Sequence, residues 1–421
     1  MTRASSRARP LLTAAASTLA IGLLAAACSK PSADGVAPAG SSAPSPGSAA
    51  ALPSAATSAA ATPAAAGPAV AIPAGKLLAG TACGEHPRVP AEELAGDATP
   101  MSAFDIDAYP YPNDPARAPL TGVSRDEAAR LCADRGRRLC TELEWENACK
   151  GPKNTRYEYG DRFDAKACPT GLGAAPAPGG FDRCTSGFGV HAMHGFVWEW
   201  TASDWKRGSE TGKAALRGGY GNAPYAHMRC SGAKAEDPAT KAAAVGFRCC
   251  GGAANTSEIV IPADDPAPPA LAEEKPADAA LLARLDRALV NGSLRAPEGT
   301  TSSFTRVWRW HAAPREEVIL ARYESKSADG ATVVQPLVVR LCDRSVQLIG
   351  RLRAPVEAME DPEVSDEAPG KLILKVKDGA NSGEVKLTYQ YAQVATEQPA
   401  WVKAGAAASA APGASAAPAV K

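Results

Sequence analysis

Eleven cysteines and five histidines are the residues of this 421-residue chain whose types could carry redox or metal chemistry. The cysteines contain no pair spaced two apart as a redox or zinc motif requires, and so many in one chain favour an oxidising compartment in which they form disulfides. His191 and His194 lie three apart just before Trp198-Glu199-Trp200, a spacing that suits two ligands of one metal. His227-Met228 offers a borderline and a soft ligand, but adjacent residues seldom converge on one ion. Glu199 is the hard-oxygen candidate, with an internal hydrogen-bond acceptor for loop amides as the favoured alternative. His86 and His311 stand apart from these groups. Trp198, Trp200, Trp205, Tyr157, Tyr159, Tyr220 and Tyr225 could either pack in a core or line a groove for a sugar or peptide, with Arg217 or Arg229 beside it.

The elements that position these residues can be read from capping chemistry. Ser124-Arg125-Asp126-Glu127 and Thr141-Glu142-Leu143-Glu144 are capping boxes, and each helix has a stop, Gly136 for the first and Gly151-Pro152 for the second. Ala128, Leu131 and Cys132 share one face of the first helix, as do Trp145, Ala148 and Cys149 on the second, so both point a cysteine inward. Beyond Gly151 the aromatic and Gly-rich pieces favour short strands and ordered loops stapled by disulfides.

Length at roughly 150 residues per domain allows two or three domains, but 38 Gly, 36 Pro and Ala/Ser/Pro tracts leave material for two. Charge excludes one class of partner: 45 Lys+Arg balance 45 Asp+Glu, so there is no basic footprint for nucleic acid. Residues 1–28 read as an export signal, with Arg3, Arg7 and Arg9 before an apolar Leu11 to Ala27 too short to span a bilayer. Its end, Leu24-Ala25-Ala26-Ala27-Cys28, resembles a bacterial lipobox, which makes Cys28 the lipidated residue and the membrane a partner through that anchor. Ser29-Lys30 are not the Asp that resembles an inner-membrane retention signal. The expected location is therefore the cell envelope, at the outer membrane of a Gram-negative bacterium.

Residues 29–77 are expected to be a disordered tether, 78–252 a first domain, 253–275 a linker, 276–402 a β-rich domain with a leading helix, and 403–421 a disordered tail. In the β-rich part Val385, Leu387, Tyr389 and Tyr391 alternate with polar residues, Leu281, Leu282, Leu285 and Leu289 form one helix face, and Asp329-Gly330 and Asp378-Gly379 mark turns. It resembles no family, and binding or assembly is its expected role.

Five motifs of the first domain carry a resemblance. Gly122-Val123-Ser124, Gly136 through Glu146, Val197-Trp198-Glu199-Trp200-Thr201, Leu216-Arg217-Gly218-Gly219 and Gly246-Phe247-Arg248-Cys249 stand in the order of the sulfatase-modifying factor family, whose best-known members are formylglycine-generating enzymes. The resemblance covers about Ala103 to Cys250 and implies an α+β, C-type-lectin-like fold. It also implies pairing of Cys132 with Cys249 and of Cys149 with Cys230. Cys168 and Cys184 bracket a Gly/Pro/Ala loop that they could close, Cys140 and Cys250, each beside a motif, could pair with each other, and Cys83 and Cys342 are either free or join the two domains; sequence alone leaves this connectivity open.

The same resemblance sets what chemistry to expect. Formylglycine-generating enzymes oxidise a substrate cysteine with copper held by two cysteines, four residues between them, after Arg-Gly-Gly. Here Tyr220 to Arg229 contains no cysteine. The nonhaem iron relatives take histidines from a preceding helical domain, which the signal and tether do not supply. Family members bind calcium near Gly-Asn-Val-Trp-Glu-Trp, but Phe196 replaces the Asn, so calcium binding is expected to be weakened and left to Glu199 and Asp204. Tyr220 and Tyr225 fall in the family's substrate groove and are expected to be exposed there, near Arg217 and Arg229. The leading expectation is a non-catalytic domain that binds a peptide, glycan or envelope protein, or serves as a scaffold. A metal-dependent oxidoreductase using His191, His194 or His227 and a purely structural surface module are the alternatives.

Overall fold

A computed structural model of the protein describes residues 67–402, apart from 172–173, 222–224, 265, 289–298 and 343–344. The export signal, Cys28, residues 29–66 of the expected tether, Leu289 of the expected helix face and residues 403–421 lie outside the described residues. The fold is α+β, mostly strands with three helices.

Helices α1 (Arg125–Ala133) and α2 (Glu142–Lys150) begin at the two capping boxes. Ser124 accepts from the Glu127 amide while Glu127 accepts from the Ser124 amide, and Thr141 and Glu144 do the same, so each box satisfies two amides that the first turn leaves unpaired. Gly136 and Gly151 sit at φ 68° and 65° beyond the helix ends, where a side chain would be strained. All nine residues of α2 are buried, charged ones included. That is feasible because each carboxylate is met: Glu142 by Arg207 and Arg217, Glu144 by Arg138 and the Thr141 and Asn255 amides, and Glu146 by Arg217, Lys150 and the Gly80 amide.

Two four-stranded sheets flank the helices. One orders Ala69–Ile72, Phe104–Asp107, Cys249–Gly251 and Arg138–Leu139. The other orders Val245–Phe247, Trp198–Asp204, Ala214–Gly218 and Ala233–Glu236, with Trp198–Asp204 parallel to Val245–Phe247 and antiparallel to Ala214–Gly218. Leu77, Ile106, Leu143, Trp145 and Met193 form the core of the first layer, and Ala128, Trp200, Leu216 and Phe247 that of the second.

Of the stretch expected to be a tether, residues 67–77 are described and include strands. Ala69–Ile72 pairs with Phe104–Asp107, and Gly75–Gly80 forms a hairpin with Ala95–Met101. Ile72 and Leu77 are buried in the core, and these two apolar residues are enough to fix strands in a stretch whose average composition reads as a tether. The 253–275 linker is likewise structured in part: Val260–Pro262 runs parallel to Lys206–Gly208, and Leu271–Glu273 joins the first sheet of the C-terminal half.

That half is a sandwich. One sheet orders Leu271–Glu273, Thr300–Ala313, Glu316–Ser327, Thr332–Cys342 and Ser345–Arg351. The second is built on Ala358–Met359, Lys371–Asp378, Asn381–Gln390 and Gln393–Glu397. The two-residue side-chain period sorts the faces: Trp308, Trp310 and Leu320 turn toward Leu372, Leu374, Val385 and Leu387, whereas Val307, Ile319 and Ala321 turn toward Leu281 and Leu285 of α3 (Ala279–Ala288). The described residues pack as one unit.

Candidate functional site

The residues singled out in the sequence gather around the strand Trp198–Asp204 and around α2, mostly with their charges already used. Glu199 is fully buried and accepts from Trp145 Nε1 at 2.8 Å, from Arg248 Nε at 2.7 Å and from a terminal nitrogen of Arg248 at 2.7 Å. Arg248 follows Val245–Phe247, whose Gly246 lies opposite Glu199, so strand pairing itself delivers the guanidinium. Both carboxylate oxygens are thus engaged by a cation. Of the two expectations for Glu199, metal ligand or internal hydrogen-bond acceptor, the geometry is that of an acceptor, and a calcium ion there would have to displace the bidentate Arg248. Phe196, at the position of the family's Asn ligand, is fully buried edge-on against Phe181 at 5.4 Å, with Cys168, Cys184 and Ala192 in the same cluster. An amide there would be buried among apolar groups.

Arg217 and Arg229 do not line an open groove. Arg217 is buried and reaches Glu142 and Glu146 of α2, each at 3.1 Å, and Glu142 also binds Arg207 at 2.7 Å. Arg229 is buried against Glu93 at 2.8 and 2.9 Å and donates to the hydroxyls of Thr81 and Ser231, each at 2.7 Å. Burial alone would push the Glu93 carboxyl up, but the Arg229 charge and the hydrogen bonds from Arg229, Thr81 and the Val89 amide outweigh it and hold the group below its ordinary range. Each guanidinium is a neutralised internal strut because the chain buries a carboxylate beside it. Tyr220 and Tyr225 are half-buried rather than exposed, and Tyr225 meets Tyr391 of the C-terminal half edge-on at 5.5 Å. The Arg-Gly-Gly motif also has a packing reason: Gly218 sits at φ 95°, and a Cβ there would approach the carbonyl oxygens of Met193 and Val197 to 3.0 Å.

Residues 107–252 match the family described as the sulfatase-modifying factor enzyme 1-like domain. This region is a sulfatase-modifying factor domain. Among curated proteins, the inactive C-alpha-formylglycine-generating enzyme 2 of Mus musculus is 31% identical over 159 residues, covering 33% of this chain and 51% of that protein. The hercynine oxygenase of Mycobacterium tuberculosis is 41% identical over 96 residues, 21% of this chain and 23% of that protein. The chain thus spans about half or less of the length of these relatives. Among solved structures, PvdO from Pseudomonas aeruginosa aligns at 20% identity and a TM-score of 0.38, covering 44% of this chain and 93% of PvdO.

In the sulfatase-modifying factor domain the cysteines are committed. Cys132 is bonded to Cys249, Cys140 to Cys250, Cys149 to Cys230 and Cys168 to Cys184, while Cys83 reaches across to Cys342 of the C-terminal half. The three histidines weighed as ligands do not form one site. His191 stacks on Tyr109 at 4.7 Å and faces the Thr185 hydroxyl at 2.7 Å, and burial, aided by the Arg248 charge, pushes its pKa down. His227 faces Glu92 at 3.1 Å and the Trp198 ring edge-on at 5.9 Å. His194 is buried against Glu158 and the edge of Trp145. Two groups of three metal-capable residues do come within 4.8 Å among the described residues, Cys149/His194/Cys230 and Glu158/Cys168/Cys184, yet the sulfurs of both are in disulfides and lack the thiolate form that binds metal. The copper donor set of a formylglycine-generating enzyme therefore does not fit the residues present.

Sequence reasoning missed the acidic partners Glu93, Glu142, Glu146 and Glu158. For α2 there was a signal. Leu143 falls among Glu146, Asn147 and Lys150 on the helix face away from Trp145, Ala148 and Cys149, so the charged face also carries an apolar residue that calls for burial. A cleft of about 330 Å³ lies in the C-terminal half between Asp264, Pro268, His311, Arg315, Glu316 and Glu317, where Arg315 faces Asp264 at 3.6 Å and His311 faces Glu317 at 3.1 Å.

Proposed function

We propose that the protein is a lipid-anchored envelope protein whose sulfatase-modifying factor domain is non-catalytic and serves as a rigid recognition or scaffolding module. One observation carries the reading. The segment after Arg217-Gly218-Gly219 supplies no thiol, and all ten cysteines among the described residues are paired, so no thiolate pair is left to hold Cu(I). The positive groups nearest that segment are spent on Glu93, Glu142 and Glu146, and Tyr225 is packed against Tyr391. Stability rather than turnover is what such an arrangement supplies, and the peptide, glycan or protein partner would be met by the outer surface. The name of the inactive mouse relative accords with this reading.

The test is a competition titration of the purified full chain with Cu(I) against a chromophoric Cu(I) chelator. The reading expects no stoichiometric uptake by the oxidised protein, and one tightly held equivalent would overturn it. Anchoring is checked by Cys28→Ser, which should move the protein from the membrane to the soluble fraction, and unchanged fractionation would count against the anchor.

A further inference from the structure

The five disulfides differ in their surroundings. Cys132, Cys140, Cys149, Cys168, Cys184, Cys230, Cys249 and Cys250 are all between 0 and 3% exposed, whereas Cys342 is 9% exposed and Cys83 is partly open to solvent. Charge separates them as well. Glu158 Oε1 lies 2.6 Å from Cys184 Sγ and 3.2 Å from Cys168 Sγ, so a thiolate formed there would face a buried carboxylate. Among the described residues two guanidiniums contact the backbone at the Cys83–Cys342 bond: Arg340 donates to the Cys83 carbonyl at 3.3 Å, and Arg284 of α3 donates to the Cys342 carbonyl and, at 3.2 Å, to that of Ser345. Arg340 is also paired with Glu316 at 2.8 Å, whereas Arg284 has no ion pair among the described residues.

We infer that Cys83–Cys342 is a thiol–disulfide exchange site that takes an external dithiol, and that its opening uncouples the C-terminal sheets from the sulfatase-modifying factor domain. The dithiol, as a thiolate, attacks the more open Cys83 Sγ. The Cys83–Cys342 bond breaks with its electron pair on Cys342 Sγ, and Cys83 and the reagent form a mixed disulfide. The second reagent thiolate then attacks the reagent sulfur of that bond and expels the Cys83 thiolate. The dithiol ends as a disulfide, and the two protons it released end on Cys83 and Cys342. Arg284 helps because a leaving thiolate of lowered pKa departs faster.

The consequence follows from what else holds the joint. Apart from the main chain through 263–270, the bond is the covalent link between the halves, and it closes a separation of 259 residues. Among the described residues the noncovalent contacts beside it include the Arg88 amide to the Tyr391 carbonyl at 3.2 Å, Arg88 to Glu316 at 3.6 Å, Arg340 to the Cys83 carbonyl at 3.3 Å, Gln347 to the Gly84 carbonyl at 2.9 Å, and Tyr225 edge-on against Tyr391. Each is a single hydrogen bond, ion pair or ring contact, individually weaker than a cross-link that closes so long a loop.

The test is timed reduction of the natively folded full chain by dithiothreitol, with alkylation and peptide mass mapping that scores every cysteine separately, Cys28 included. Cys83 and Cys342 should be alkylated together and about tenfold sooner than the other eight paired cysteines, and any other pair opening first or in step would overturn the inference. Arg284→Gln should slow that opening about threefold, as expected for a one-unit change in leaving-group pKa at a slope near 0.5, while Arg284→Lys should restore it. An unchanged rate in Arg284→Gln would remove the guanidinium from the account. Limited proteolysis of the selectively reduced protein should cut within 263–270, and resistance equal to that of the oxidised protein would overturn the uncoupling.

Discussion

Replacing Glu199 by Ala separates the two roles the motif could give it. In the structure its carboxylate accepts three hydrogen bonds of 2.7–2.8 Å from two fully buried donors, Trp145 and Arg248. Its loss leaves the Arg248 guanidinium in the core with hydrogen bonds to the carbonyl oxygens of Asp107, His191 and Ala192 at 3.1–3.3 Å. Breaking a buried pair from one side costs about 3–5 kcal/mol, and because those carbonyls retain some of the interaction the expected cost is about 3 kcal/mol. Against a total of about 5–15 kcal/mol that is a large share, visible as a lower urea midpoint at unchanged slope. Glu199→Met combined with Arg248→Met should recover at least ~1 kcal/mol over Glu199→Met, since no uncompensated charge is then buried. The same unfolding curves run in calcium and in chelator supply the second arm: an ion present at 100 times its dissociation constant would add about 2.7 kcal/mol. The structure predicts superimposable curves. A Glu199→Ala cost below ~1 kcal/mol, or a calcium shift of that size in the wild type that the variant lacks, would refute the assignment of Glu199 as the partner of Arg248.

Cys149→Ser with Cys230→Ser opens a bond of sequence separation 81 beside α2 and should cost on the order of 4 kcal/mol by denaturant unfolding; a loss under ~1 kcal/mol would contradict the bond. Glu93 is held below its ordinary value of 4.5, so the unfolded chain binds the extra proton between the two values. The stability it supplies is therefore complete above about pH 4.5 and is lost as pH falls through the lower, folded value. Glu93→Gln should make the acid limb of stability against pH shallower by up to one proton, and an unchanged slope would count against the pair with Arg229. Thr141→Ala removes a buried N-cap and should cost about 1–2 kcal/mol, with less than ~0.3 kcal/mol arguing against the capping box.

Much of the sulfatase-modifying factor domain was legible because its signals are local. Capping boxes, a glycine after each helix and the Trp-Glu-Trp run each act over a few residues, and the structure starts α1 and α2 at the expected boxes. The alternation in Val385 to Tyr391 and the Asp-Gly turns likewise placed strands in the C-terminal half, where Asp378 pairs with Asn381 across a two-residue turn. What was not legible depends on partners far along the chain. That Arg217 belongs to Glu142 and Arg229 to Glu93 requires separations of 75 and 136 residues, which no periodicity reveals. Arginines near aromatics look the same in a sequence whether they line a groove or brace a core. The tether boundary failed for a related reason: the pairing of Ala69–Ile72 with Phe104–Asp107 is non-local, and composition weighs Ile72 no differently from an exposed residue.

The most direct test of the account is conversion of a cysteine-containing peptide to its aldehyde under oxygen, with the protein supplied with Cu(I) and the product trapped by a hydrazide and read by mass. With no free thiolate pair in the domain, the account predicts no aldehyde above that formed by heat-denatured protein. Turnover that depends on the folded chain and on copper would contradict it.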